Sequence, residues 1–252
     1  MTEGVQTMGT YPFGDPDPVA RPERSIYPYF RFDGFTTHKS DREWKTVTLE
    51  NEWIKVVIFP EIGGKVWTAI DKTTGKPFLY NNDVVKFRDI AMRGPWVSGG
   101  IEFNFGIIGH APTSATPVDY FTKADEDGSA SCFVSATDLL TRTIWQVEIK
   151  LEKDKAFFTT NTTWFNSSAT YEPYYQWMNA AFPAGDDLQF TYPGTNYIGH
   201  DGSLHTFPID GKGRDVSWYR NNAFGGSKSY HVIGEFSRFF GGYWHDEGFG
   251  SV

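Results

Sequence analysis

Short runs of alternating apolar and polar residues, each closed by a turn signal, constrain this chain more than any other feature. In Ile144–Leu151, Trp145, Val147, Ile149 and Leu151 fall on one face and Gln146, Glu148 and Lys150 on the other, the pattern of a half-solvated antiparallel strand. In the run that follows Glu52, Ile54, Val56 and Ile58 share one face while Trp53, Val57 and Phe59 take the other, which predicts a strand buried on both sides. Val47 and Leu49 alternate with polar residues just before it. Pro60 and Gly63-Gly64 end that strand. Residues 65–70 predict the next, residues 71–75 a hairpin loop, and Phe78-Leu79-Tyr80 its return. Residues 118–122 and 131–136 flank a turn at Asp125–Gly128, and residues 157–165 return after Lys153-Asp154-Lys155. No segment sustains a 3.6-residue apolar period with caps. The prediction is an all-β chain of antiparallel strands, a sandwich or barrel.

The ends differ from this middle. Residues 1–43 are expected to form an N-terminal arm, because four prolines between Pro12 and Pro22 deny a central strand or helix interior there. The aromatics of SIYPYFRF would pin the arm to the domain, which then runs over residues 44–252. Residues 183–230, rich in Gly, Asn, Asp and His, are expected to be long loops. The final stretch, HVIGEFSRFFGGYWHDEGFGSV, predicts a strand, a Gly-Gly turn and the start of another strand. An ending at Val252 is therefore expected to interrupt the fold, with strands missing beyond it.

Charge and composition exclude several function classes. A net charge of −8 argues against a basic face for nucleic acid and against an anionic membrane surface. There is no apolar run of about 18 residues to span a membrane, and the N-terminus has no signal-like apolar region. Cys132 stands alone, so neither a disulfide nor metal spacing is available. These points give the expectation of a cytoplasmic protein. Asn161 and Asn166 match glycosylation sequons but are taken as strand and turn residues. Aromatic content of 17% is high, enough to line a groove as well as fill a core.

The candidate chemistry sits in residues 93–110, RGPWVSGGIEFNFGIIGH. Glycines there let the backbone bend or approach a ligand closely. Arg93 and Trp96 flank one carboxylate, Glu102, one amide, Asn104, and one imidazole, His110. Burial between Ile101 and Phe103 would raise the Glu102 carboxyl and suit it to acid work. His110 would exchange protons with a sugar oxygen. In YEPYYQWMNAAF, Tyr175, Trp177 and Asn179 would share a strand face, where rings stack on a sugar and the amide binds its hydroxyls. The opposing readings are ordinary ones: a turn-holding carboxylate, a loop histidine and cross-strand aromatic packing. His200, His205 and His231 have no metal-binding spacing, so no metal and no cofactor is expected. No GxSxG elbow, P-loop or GxGxxG helix start is present.

The runs LENEWIKVVIFPEIGGKVWTAIDKTTGKPFLYNN, GPWVSGGIEFNF and YYQWMNAAF resemble the DUF5107 family, over roughly residues 44–250. The GGIEFNF element with its downstream histidine is the most specific part. The resemblance implies a relative of the galactose mutarotase (aldose 1-epimerase) superfamily, an antiparallel β-supersandwich with a sugar-binding concave face. It also implies attachment to tetratricopeptide repeats in longer proteins. The epimerase histidine motif has no close match here, and many of these domains carry His-His where this chain has Gly109-His110.

Together these readings give a carbohydrate-binding and carbohydrate-processing domain acting on a mono- or oligosaccharide, glycoside-hydrolase-like or epimerase-like. Glu102 and His110 are the catalytic candidates. Arg93, Trp96, Asn104, Tyr175, Trp177 and Asn179 are the binding candidates, with residues 93–110 forming one wall of a groove and Tyr175 to Asn179 the wall facing it. A second carboxylate would come from Asp186, Asp187 or Asp201, or from beyond Val252. A non-catalytic sugar-binding or structural module attached to a repeat array is the alternative.

Overall fold

The computed structural model describes residues 2–10, 38–89, 95–105, 110–173, 175–223, 231–232 and 238–252, with residues 2–10 known by backbone alone. It is all-β, with one 3-10 turn at Tyr219–Asn221. The chain divides into two compact units, Met1–Phe182 and Pro183–Val252.

The first unit holds β1 (Thr2–Thr10), β2 (Ser40–Glu50), β3 (Ile54–Phe59), β4 (Lys65–Asp71), β5 (Val84–Val85), β6 (Arg88–Asp89), β7 (Pro95–Trp96) and β8 (Ile101–Phe105). It continues through β9 (Asp119–Ala124), β10 (Ala130–Thr137), β11 (Ile144–Leu151), β12 (Phe158–Phe165) and β13 (Gln176–Ala180). Seven strands form one sheet in the order β13-β8-β4-β3-β2-β1-β5, antiparallel except at β1–β5. A four-stranded meander, β12-β11-β10-β9, forms the second sheet, and β6 and β7 make a short ribbon.

The alternation read in the sequence is the packing scheme. Trp145, Val147, Ile149 and Leu151 of β11 are buried against Ile54, Val56 and Ile58 of β3 in one cluster shared by the two sheets. Phe105 stacks on Trp145 at 4.7 Å across it. Each such buried side chain contributes roughly 1.5–3 kcal/mol. Val57 and Phe59 point to the other face of the large sheet. There they join Trp44, Ile62, Trp67, Val85, Phe87 and Val97 in a second cluster, with Phe59 stacked on Trp67. β3 is thus buried on both faces. Trp53, expected on this second face, precedes the strand and is 39% exposed, because its backbone is taken up by an Asx turn whose carbonyl-bearing residue is Asn51.

Four details depart from the sequence reading. Thr2–Thr10 pairs along β2 from Thr2↔Thr48 to Thr10↔Ser40, so the segment read as an arm contributes a strand. Its prolines begin only after that strand has ended, and Pro12 to Pro22 and SIYPYFRF lie outside the described residues. Phe78–Tyr80 does not return as a strand. After one bridge at Ile70↔Pro77 and a bond from Phe78 N–H to the Ala69 carbonyl, Tyr80 N–H donates to Ala181 instead. A proline cannot extend the ladder, which leaves this segment to bend toward β13. In the second unit, residues 183–230 contain strands where loops were expected.

That unit holds β14 (Leu188–Thr191), β15 (Asn196–Ile198), β16 (Leu204–Thr206), β17 (His231–Val232), β18 (Gly241–Trp244) and β19 (Phe249–Ser251). They form two three-stranded sheets, β14-β18-β19 and β16-β15-β17. Tyr192, Tyr197, Phe207 and Val216 make its small core. Gly241-Gly242 lies inside β18 and not at a turn. A Cβ on Gly241 would lie 2.6 Å from the Ser251 carbonyl oxygen, so glycine there permits close strand approach, and residues 245–248 make the turn.

Candidate functional site

Strand β8 turns alternate side chains to opposite faces. Ile101, Phe103 and Phe105 enter the inter-sheet core, which sends Glu102 and Asn104 to the other face. Both are buried, at 5% and 0% exposure. β13 pairs directly alongside, with Asn179↔Glu102 and Trp177↔Asn104 as partners. Tyr175 to Asn179 was expected to face residues 93–110 across a groove. The two segments are instead neighbouring strands of one sheet, which is why their amide and carboxylate touch.

The Glu102 carboxylate collects four side-chain donors. Oε2 accepts from Trp96 Nε1 at 3.0 Å and Asn179 Nδ2 at 3.0 Å, Oε1 accepts from Ser114 Oγ at 2.8 Å, and His110 Nδ1 lies 3.1–3.2 Å from both oxygens. Burial alone pushes this carboxyl up. The bond and charge of His110, with the bonds from Ser114 and Asn179, outweigh it and hold the group at about 2. The raised carboxyl expected from burial is therefore reversed, because the desolvated oxygens are compensated by donors. Glu102 is a fixed anion. The His110 side chain is more open, at 17% against 6% for Glu102. Its ring meets Trp177 edge-on at 4.8 Å and Trp96 at 6.1 Å.

Ser114 comes up to Glu102 because Gly63 admits its loop. A Cβ on Gly63 would lie 2.9 Å from the Ser114 Cα, and Gly63 N–H donates to the Thr116 carbonyl. Ala111 N–H in the same loop donates to Asn104 Oδ1 at 2.9 Å. That bond fixes the amide orientation, and among the described residues neither its buried Nδ2 nor the buried Trp177 Nε1 has a hydrogen-bond partner.

Beside Glu102 lies a cavity of about 300 Å3, lined among others by Tyr80, Trp96, Ser98, Gly100 and Asn179. This is at the low end of the roughly 300–1,000 Å3 typical of small-molecule sites. Three of its lining residues are tied by a ring of backbone bonds: Tyr80 N–H to the Ala181 carbonyl, Ala181 N–H to the Gly100 carbonyl, and Gly100 N–H to the Tyr80 carbonyl. Gly100 has φ +61°, and a Cβ there would stand 1.9 Å from the Val66 carbonyl oxygen. Glu102 is the one carboxylate among the described residues that line the cavity. Behind its wall Lys65, 3% exposed, donates to the Val97 carbonyl at 2.9 Å.

Of the residues singled out in the sequence, Glu102, His110, Trp96, Asn104, Trp177 and Asn179 come together. Arg93 lies outside the described residues. Tyr175 precedes β13 and is 48% exposed. Asp187 and Asp201 serve turns, accepting from Asp246 N–H and from Ser203 N–H and Oγ, and Asp186 is exposed; all three belong to the second unit. Among the described residues no group of three or more His, Cys, Asp or Glu could hold a metal ion. Ser114, Lys65 and Tyr80 were missed. Lys65 shares a strand face with Trp67, and only the inward turn of Trp67 in the structure discloses its burial.

Residues 22–252 match the family model described as a domain of unknown function, DUF5107. A solved structure described as a TPR-domain containing protein from Parabacteroides distasonis is similar, with 28% sequence identity and a TM-score of 0.77. The match covers 96% of this chain and 41% of that one, so this chain spans well under half of that protein's length.

Proposed function

The chain belongs to the DUF5107 family, and from that premise and the geometry around Glu102 we propose a carbohydrate site that binds a mono- or oligosaccharide and performs acid–base chemistry on it. The observation that carries this reading is the four-donor carboxylate at the edge of a small cavity rimmed by Trp96 and Tyr80. Aromatic faces take the apolar side of a sugar ring, while Asn179 and Ser98 offer amide and hydroxyl groups to its oxygens. The sandwich architecture is compatible with a galactose mutarotase-like ancestry.

The roles differ from those first assigned. A carboxylate held at about 2 is a weak base and is not protonated near neutrality, so it does not serve as the acid. Glu102 instead orients His110 by its bond to Nδ1, as carboxylates commonly do for catalytic imidazoles. His110 is then the group that carries the proton. A glycan panel should reveal a sugar that binds and is turned over by the full protein. Replacing His110 with Gln should lower turnover about 100-fold or more while leaving binding within a few-fold. Unchanged turnover would remove His110 from the chemistry.

One observation favours the alternative of a non-catalytic module. Glycosidases commonly flank the bond with two carboxylates roughly 5–10 Å apart, and the described lining of the cavity offers only Glu102. Sugar binding without product from any glycan would select this reading. The similarity to a longer TPR-domain containing protein supports a further proposal, that the domain works beside a tetratricopeptide-repeat region.

A further inference from the structure

Lys65 is a buried titratable group that the proposed chemistry leaves unused. Lysines are almost never fully buried without a partner. This one opens β4 with its side chain on the aromatic face of the large sheet, its nitrogen 5.8 Å from the centre of the Trp67 ring. Its hydrogen bond goes to the carbonyl of Val97, between Trp96 and Ser98, and all three of these residues line the cavity. The acidic group whose charge acts on it is Glu102. Phe59, its register partner on β3, and the wall at residues 96–98 bring no charge. His110, bonded to Glu102, is the other titratable group beside that carboxylate.

We propose that Lys65 is a positioning residue of the site: its charged ammonium holds the Val97 carbonyl, and with it the wall at residues 96–100, in electrostatic answer to Glu102. The proposal rests on reading the cavity as the binding site. A charged donor bonds a carbonyl more strongly than a neutral amine does, so the wall is held most firmly while Lys65 is protonated. Burial pushes the ammonium down from 10.5 to about 8, and Glu102 opposes that fall. The hold therefore loosens just above neutral pH. A lysine whose folded value lies below its unfolded one destabilises the fold most at low pH, and this penalty fades between about 8 and 10.5. Loss of affinity over that window would thus run against the direction in which this group changes stability, and unfolding would not account for it.

The experiment follows the Lys65 amine in the full chain by isotope-labelled lysine NMR, in wild type and in Glu102→Gln. Alongside it, amide exchange of residues 97–100 is compared between wild type and Lys65→Met, with Lys65→Gln as a second variant should the first not fold. Galactose affinity is measured from pH 6 to 10. The inference expects a wild-type midpoint near 8 that falls further in Glu102→Gln, and exchange at 97–100 at least tenfold faster in the Lys65 variant while β11 is unchanged. It also expects galactose affinity to drop at least threefold between pH 7 and 9 in wild type and to stay flat in the variant. A midpoint indifferent to Glu102→Gln, or exchange at 97–100 unaltered by the variant, overturns the inference. Absence of galactose binding at every pH would count against galactose as the ligand of the sugar reading, and the titration and exchange data would still decide the role of Lys65.

Discussion

Glu102 shows how far a single residue can be read from sequence and where the reading stops. Its burial between Ile101 and Phe103 was read from those neighbours, whereas no strand was predicted at residues 101–105, because the glycines around that run were read as bends or ligand contacts. The sign of its ionisation was not legible either, because that depends on donors from Trp96, Ser114, His110 and Asn179, and Asn179 lies 77 residues away. A carboxyl shifted from 4.5 to about 2 and almost fully buried contributes on the order of 3 kcal/mol near neutrality. Its folded value lies below the unfolded one. The contribution is therefore complete above pH 4.5 and is lost as pH falls toward 2. Glu102→Gln is expected to unfold roughly 1–3 kcal/mol more easily at pH 7, and the gap from wild type should close in acid. Parallel denaturation curves at pH 7 and pH 3 check this, and a gap equal at both would refute the assignment. Lys65 was missed for a complementary reason: a strand-opening lysine ordinarily belongs to solvent, and its burial shows only once Trp67 is known to face inward.

At the scale of elements, strands whose two faces differ in environment were legible and irregular connections were not. β11 matches its alternation residue for residue, and β3 was correctly read as buried on both faces. Phe78–Tyr80 and Gly241-Gly242 were misassigned, since local turn chemistry does not disclose which distant backbone a segment meets. Tyr80 meets Ala181 and Gly100, and that three-way ring shapes the cavity. Gly100 is its least replaceable member. Gly100→Ala would force a Cβ to within 1.9 Å of the Val66 carbonyl oxygen at φ +61°. It is expected to cost more than about 3 kcal/mol and to abolish sugar binding. Gly75→Ala is the control, with φ +72° but no atom within 4 Å of the added Cβ. That change is expected to cost only about 1–2 kcal/mol, from conformation alone. Equal losses in the two variants would mean that the close approach at Gly100 contributes nothing.

For the molecule as a whole, the sandwich class was legible because it is a sum of local periods, whereas the division at Phe182 was not. A unit boundary depends on which apolar residues share a core, and the Gly- and His-rich composition beyond residue 183 was read as loops and not as a second core. Met1–Phe182 carries two large buried clusters, one of which joins two sheets. Among the described residues of Pro183–Val252 the buried cluster holds four side chains. A unit of that size buries a smaller fraction of its surface on folding and is correspondingly marginal. Opening free energies should therefore differ between the units, since regions with few buried apolar contacts open first. In native-state hydrogen exchange, amides of β3, β4, β10 and β11 should be the last to exchange, and those of β14, β15 and β18 should exchange at least tenfold faster. Glu102→Gln should then speed exchange in β8 and β13, the strands its side chain ties together, before it alters β11. Uniform exchange across both units would mean that they unfold as one cooperative body, and the site would then draw its rigidity from the whole chain and not from the first unit.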